Sequence, residues 1–139
     1  MKGDKIHYRS GYKYQLVGSY RLQIQIKPNQ PIDTEYLSLT TDGMLTIKDG
    51  YAWDGPSGPT IDTKSSMRGA LVHDAGYQLM RLKLISRMWR PYFDGLLRDI
   101  CIEDGMWRWR ANMWYDMVRQ FAESAADPHN DAYPVIEAP

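Results

Sequence analysis

A chain of 139 residues, 43% of them hydrophobic, is long enough to bury one substantial core and too short for two ordinary domains. Lys and Arg together number 17 and so do Asp and Glu, so no overall field draws the chain toward nucleic acid or an anionic membrane, which argues against both as partners. No stretch approaches the roughly 18 consecutive apolar residues of a membrane span.

The charge is uneven, however. Residues 123 to 139 hold Glu123, Asp127, Asp131 and Glu137 without a Lys or Arg. The part before them is mildly basic, which leaves room for a local basic surface. The one cysteine, Cys101, lies between Ile100 and Ile102 and reads as a small apolar side chain. With no disulfide open to it, and no apolar run after Met1-Lys2-Gly3-Asp4-Lys5, the chain reads as soluble, unprocessed and made in a reducing compartment.

From Ile6 to Trp53 the pattern is that of strands. It is clearest in Tyr20-Arg21-Leu22-Gln23-Ile24-Gln25-Ile26, where Leu22, Ile24 and Ile26 share one face and Arg21, Gln23 and Gln25 the other. Lys27-Pro28-Asn29-Gln30-Pro31 interrupts the run and Tyr36-Leu37-Ser38-Leu39-Thr40 resumes it. Asp42-Gly43 is the dipeptide that two-residue hairpin turns favour, and Met44-Leu45-Thr46-Ile47 returns from it. Asp49-Gly50 marks a further turn, after which Tyr51-Ala52-Trp53 leads out of the sheet. The expectation is an antiparallel meander of three to five strands.

Asp54-Gly55-Pro56-Ser57-Gly58-Pro59 packs two glycines and two prolines into one short segment and can be neither helix nor central strand. Beyond it the period becomes helical. Ser65 or Ser66 would cap a helix to about Lys83, Ser86 a second to about Asp104, with Gly105 as its stop, and a third would run from about Met106 to Ala125. Trp89, Tyr92, Phe93, Leu96 and Ile100 form the apolar stripe of the second helix. Ala111, Trp114, Tyr115, Val118, Phe121 and Ala122 form that of the third. The fold class expected is α+β: an N-terminal antiparallel sheet packed with three C-terminal helices, one domain over residues 1–126, and an extended or disordered arm over 127–139.

The first helix is unusual because Ala70-Leu71-Val72-His73-Asp74-Ala75-Gly76-Tyr77 sets an adjacent histidine and aspartate in an apolar run. Asp74 shares a stripe with Met67, Ala70, Leu71, Gln78 and Arg81, so it is expected to be mostly removed from water, and a buried carboxylate needs a cation or several donors. Arg81 on the same helix, or Arg119 beside the stripe of the third, would serve. His73 and Tyr77, one helical turn apart, share a second face. Arg90 and Asp94 repeat that spacing on the second helix, where alone they read as a surface ion pair worth well under about 1 kcal/mol. Nearness of Asp94 to His73 would change that reading.

The segment Asp54-Gly55-Pro56-Ser57-Gly58-Pro59 followed by Ala70-Leu71-Val72-His73-Asp74-Ala75-Gly76-Tyr77 resembles a family of domains of unknown function carried by tailed bacteriophages and prophages. Its pattern runs D-G-x-S-x-P, A-x-x-H-D-x-x-Y, R-x-x-x-D and Y-x-x-V-R. Arg90 and Asp94 supply the third element, and Tyr115, Val118 and Arg119 the fourth. The resemblance covers about residues 50 to 122 and departs from the pattern at two places: Phe93 stands where a small residue is usual, and Ala122 where a glycine is frequent. It implies a phage origin, a small α+β domain, and a place in the host cytoplasm or the virion. It implies no activity.

Two functional readings stay open. In the first, His73 is a general base or metal ligand, Asp74 its orienting partner or a second ligand, and Asp54 and Asp94 complete a catalytic site. Tyr77, Ser57, Arg90 and Arg119 would then bind substrate. A divalent metal ion held by His73, Asp74 and Asp94, with water in the open positions, would make it a metal-assisted hydrolase. The adjacent His-Asp pair is also a mark of helical metal-dependent phosphohydrolases, but those need further histidines, and here only His7 and His129 exist. Ser57 and Cys101 lack the setting of a nucleophile.

In the second reading, Asp54, His73, Asp74, Tyr77, Arg90, Asp94 and Arg119 form a satisfied internal network, and the protein works through its surface on a phage or host protein. Trp107, Trp109 and Trp114 with Arg108 and Arg110 are suited to such a contact, or to stacking on sugars or bases, if they are not core. The readings divide on whether these side chains line an open cleft or are enclosed and bonded to one another.

Overall fold

The computed structural model describes residues 5–9, 14–53 and 64–121. The loop at 54–59, with Asp54 and Ser57, and the arm at 127–139 lie outside them. Antiparallel strands followed by three helices make the fold α+β, and strands and helices form two compact units. No helix among the described residues is long and apolar enough to cross a membrane.

The strands are shorter and more numerous than a single meander. They are β1 (Tyr8–Arg9), β2 (Tyr14–Leu16), β3 (Tyr20–Gln23), β4 (Ile32–Asp33), β5 (Leu37–Leu39), β6 (Met44–Ile47) and β7 (Ala52–Trp53). One sheet has the order β3-β6-β5-β4, a Greek-key arrangement in which the proline-flanked segment after β3 carries the chain across to β4. In register, Tyr20 faces Ile47 and Leu22 faces Leu45 across one pairing, while Leu37 faces Ile47 and Leu39 faces Leu45 across the next. These side chains, all buried, make one apolar face. The alternation expected over Tyr20–Ile26 holds, with Leu22, Ile24 and Ile26 buried and Arg21, Gln23 and Gln25 exposed, although pairing within the strand ends at Gln23.

Two local expectations are corrected. The Asp42-Gly43 hairpin closes at Thr40, whose N–H donates to Met44 O at 3.1 Å, so its loop has three residues, with Gly43 at φ +91°. A β-carbon at Gly43 would fall 2.6 Å from Ile24 O, which reserves the position for glycine. Tyr51-Ala52-Trp53 does not lead out of the sheets. Ala52 and Trp53 form β7, which pairs with Gln15 and Tyr14 of β2 in the order β1-β2-β7. Tyr8, Tyr14 and Tyr51 gather around Trp53, with ring centroids 6.0, 5.8 and 6.4 Å away.

The helical unit comprises α1 (Lys64–Arg81), α2 (Arg90–Glu103) and α3 (Arg108–Phe121). Because α1 starts at Lys64, Ser65 and Ser66 lie inside its first turn and do not cap it. Ser86 caps a 3₁₀ turn, Arg87–Trp89, accepting from Met88 N at 3.1 Å, and α2 begins only after that turn, with Pro91 in its first positions. The first helix is buried around most of its girth, as its apolar run predicts.

Helix α2 runs antiparallel to α1. A β-carbon on Gly69 would meet Cys101 Sγ at 2.8 Å and one on Gly76 would collide with the Phe93 ring, so two glycines seven residues apart let the helices approach closely. Gly76 thus makes the room that the Phe93 ring requires.

Both helices end in the same way. After α2, Gly105 at φ +104° donates to Ile102 O and Met106 to Cys101 O at 2.9 Å, a Schellman motif that confirms Gly105 as the stop. After α1 the same bonds run from Lys83 to Met80 O and from Leu84 to Leu79 O, with Lys83 at φ +64°, a position that glycine normally fills. Met106 then packs with Leu97, Cys101, Ala111 and Trp114, which fixes α3 on α2. Burial, with Asp104 nearby, pushes the Cys101 thiol up to about 12, consistent with its reading as a small apolar side chain.

Candidate functional site

His73 and Tyr77 stand one turn apart on α1, as their spacing predicts, and their rings stack with centroids 4.3 Å apart. Both reach the same carboxylate, and it belongs to α2. Asp94 Oδ1 lies 2.7 Å from His73 Nε2 and accepts from the Tyr77 hydroxyl at 2.6 Å, while Oδ2 accepts from Arg119 Nη1 of α3 at 2.7 Å. One side chain therefore ties three helices together.

The electrostatics follow from that geometry. The Asp94 side chain is 0% exposed, and burial alone would raise its carboxyl. The bond and attraction of His73 and the bonds from Tyr77 and Arg119 outweigh burial and hold it below the ordinary carboxylate range. Burial first, and then the bond to Asp94, push the Tyr77 phenol upward, so it stays a donor. The bond to Asp94 likewise raises the Arg119 guanidinium. An ionised carboxylate can only accept, so His73 must carry its hydrogen on Nε2. In the neutral ring Nδ1 keeps the lone pair, and it has no partner among the described residues. The His73 side chain is 16% exposed and that of Arg119 29%, so the rim of the cluster meets solvent while its centre does not.

These positions revise the expected site. Asp94 is the buried carboxylate, whereas Asp74 is only partly buried. Arg119, one of the two cations open to Asp74 in the sequence, donates to Asp94. The surface pair of Arg90 with Asp94 does not form; Asp94 bonds His73, Tyr77 and Arg119. Among the described residues no three His, Cys, Asp or Glu side chains converge as metal ligands. Asp54 and Ser57 lie outside the described residues. His7 is exposed, far from α1 in sequence and in the strand unit.

One buried charge escaped the sequence reading. Arg68 of α1 grips Asp104 through Nε to Oδ2 at 3.0 Å and Nη2 to Oδ1 at 2.9 Å, and it also bonds Glu103. The signal was present: Arg68 shares a helical stripe with Val72, Ala75 and Leu79, all buried.

The tryptophan cluster divides. Trp114 is core, while Trp107 and Trp109 are exposed, with ring centroids 6.2 Å apart. Arg108, exposed, and Arg110, partly buried, alternate with them at the start of α3. Comparison with protein-family models, curated proteins and solved structures found no match for this chain.

Proposed function

We propose that the protein is a non-enzymatic, phage-type accessory protein that acts through its surface, and that the His73–Tyr77–Asp94–Arg119 cluster is a clasp fixing three helices. The phage origin rests on the ordered motif residues, of which His73, Tyr77, Asp94 and Arg119 are the ones that meet. The clasp rests on one observation: Asp94 is fully enclosed, with three donors on its two oxygens. Groups so bonded specify one arrangement of elements and are costly to break singly.

The surface through which it acts is the Trp107/Trp109 pair with Arg108. Exposed tryptophan beside arginine is the composition of interface hot spots, and the first turn of α3 has no acidic residue, so the partner is a phage or host protein with an acidic rim around an apolar pocket.

A specific observation favours a second reading, a His/Asp acid-base hydrolase without the metal set. His73 is oriented by Asp94, its side chain is 16% exposed, and its Nδ1 has no partner among the described residues, an arrangement open to a general base. His73→Phe separates the two. A clasp residue replaced by an apolar ring leaves the charge of Asp94 short of a donor, and the melting temperature falls by several degrees. A catalytic residue is held at some expense to stability, so its replacement leaves the melting temperature unchanged or raises it. That second result would overturn the clasp.

A further inference from the structure

Three arginines of the helical unit are matched to anions. Arg68 holds Asp104 and Glu103, Arg119 holds Asp94, and Arg98 bonds Asp99 while lying 4.5 Å over the Tyr115 ring. Arg90 is different. It is the first residue of α2, its side chain is partly buried, and its Nη1 is closed to solvent with no hydrogen-bond partner. Among the described residues it has neither an ion pair nor a ring contact.

An N–H of a permanent cation withdrawn from water without an acceptor is rare in folded proteins and calls for an explanation, and a bound anion supplies one. The natural acceptor would be Asp94, one turn along the same face of α2. Asp94 bonds His73, Tyr77 and Arg119 instead. Among the described residues the neighbourhood of Asp94 therefore holds two guanidiniums, Arg90 and Arg119, next to a partly exposed rim. Arg90 and Arg119 both act electrostatically on the Tyr77 phenol, which places the two cations on the same neighbourhood.

We propose that Arg90 anchors a binding site for an oxyanion, a carboxylate or phosphate group carried by a ligand, beside the Asp94 clasp. The guanidinium fork matches either group with paired hydrogen bonds, and the exposed part of Arg119 adds a second positive charge. Arg119 cannot turn fully to the ligand without releasing Asp94, so Arg90 carries the recognition. The site goes beyond the clasp: it adds a small-molecule or side-chain anion to a network that is complete without it.

The test uses the whole chain in three buffers of equal ionic strength, containing sodium chloride, sodium phosphate or sodium acetate. Binding raises the melting temperature by mass action, so about 20 mM phosphate or acetate is expected to raise it by about 3 °C or more over chloride. Whichever arm responds more strongly names the class of group. In Arg90→Gln the response disappears, and in chloride this variant melts no lower than the wild type, because it removes an unpaired cation.

A second readout needs no variant: the side-chain ¹⁵N resonances of Arg90 shift during the phosphate or acetate titration while those of Arg68 stay fixed. Equal melting temperatures in the three buffers, an undiminished response in Arg90→Gln, a large loss of stability in that variant in chloride, or unmoved Arg90 resonances would each overturn the site.

Discussion

The helical unit contains two enclosed charges of opposite sign, and they are solved in different ways. Arg68 sits toward one end of the α1/α2 pair and Asp94 toward the other. The anions that hold Arg68 are neighbours in sequence at the end of α2, and they keep 24% and 27% of their side chains in solvent. Asp94 is held by donors from two other helices, and one of them, Tyr77, is itself buried. The first arrangement is a cation whose partners have water to fall back on. The second is an anion with one partner, Tyr77, that has no water to fall back on, and its donors come from both other helices, so it reports on the assembly of all three.

That contrast is open to measurement by urea unfolding. Asp94→Ala strands the Tyr77 hydroxyl and leaves Arg119 without its anion, and it is expected to cost about 3 to 5 kcal/mol. Arg68→Ala is expected to cost less, about 1 to 3 kcal/mol, since Asp104 and Glu103 can rehydrate and much of the loss is the packing of the arginine stem. Equal losses, or the reverse order, would remove the distinction.

Acid sharpens it. The folded-state value of Asp94 is depressed, so its contribution is fully present above the unfolded value of about 3.9 and is lost as pH falls through the folded one. The gap in stability between wild type and Asp94→Ala should be constant above about pH 5 and should narrow only below about pH 4. A gap that already narrows near neutrality would assign it to another group.

The smallest effect compares the two helix ends. Lys83 holds the left-handed position that Gly105 holds after α2. Lys83→Gly relieves that strain against a gain in unfolded-chain freedom, for a net stabilisation of less than about 1 kcal/mol, while Gly105→Ala destabilises by about 1 kcal/mol or more. Opposite signs in thermal melts are the expected outcome.

Much of this was legible in the residues. The alternation of Leu22, Ile24 and Ile26, the change of period after the Gly/Pro segment, and Gly105 as a helix stop all follow from local stereochemistry, which the chain carries wherever it folds. The His73–Tyr77 face was legible for the same reason. Asp94 was not, because Arg90 and Asp94 at one-turn spacing describe a complete ion pair on an isolated helix. Only the approach of α1 and α3 shows that the carboxylate has other donors and that the arginine is left over. The strand count was underestimated because pairs of two residues, such as Ala52 and Trp53 on β2, leave no periodic trace.

The Gly76–Phe93 contact has a consequence for how this chain can vary. The ring occupies the volume that any larger residue at 76 would need, so the two positions are tied across the helix pair like a key and its slot. Since Phe93 immediately precedes Asp94, a side chain added at 76 would push on the residue beside the clasp. Enlarging the one is tolerable only after trimming the other, which makes a silent-looking glycine on α1 the gatekeeper of a polar cluster it never touches.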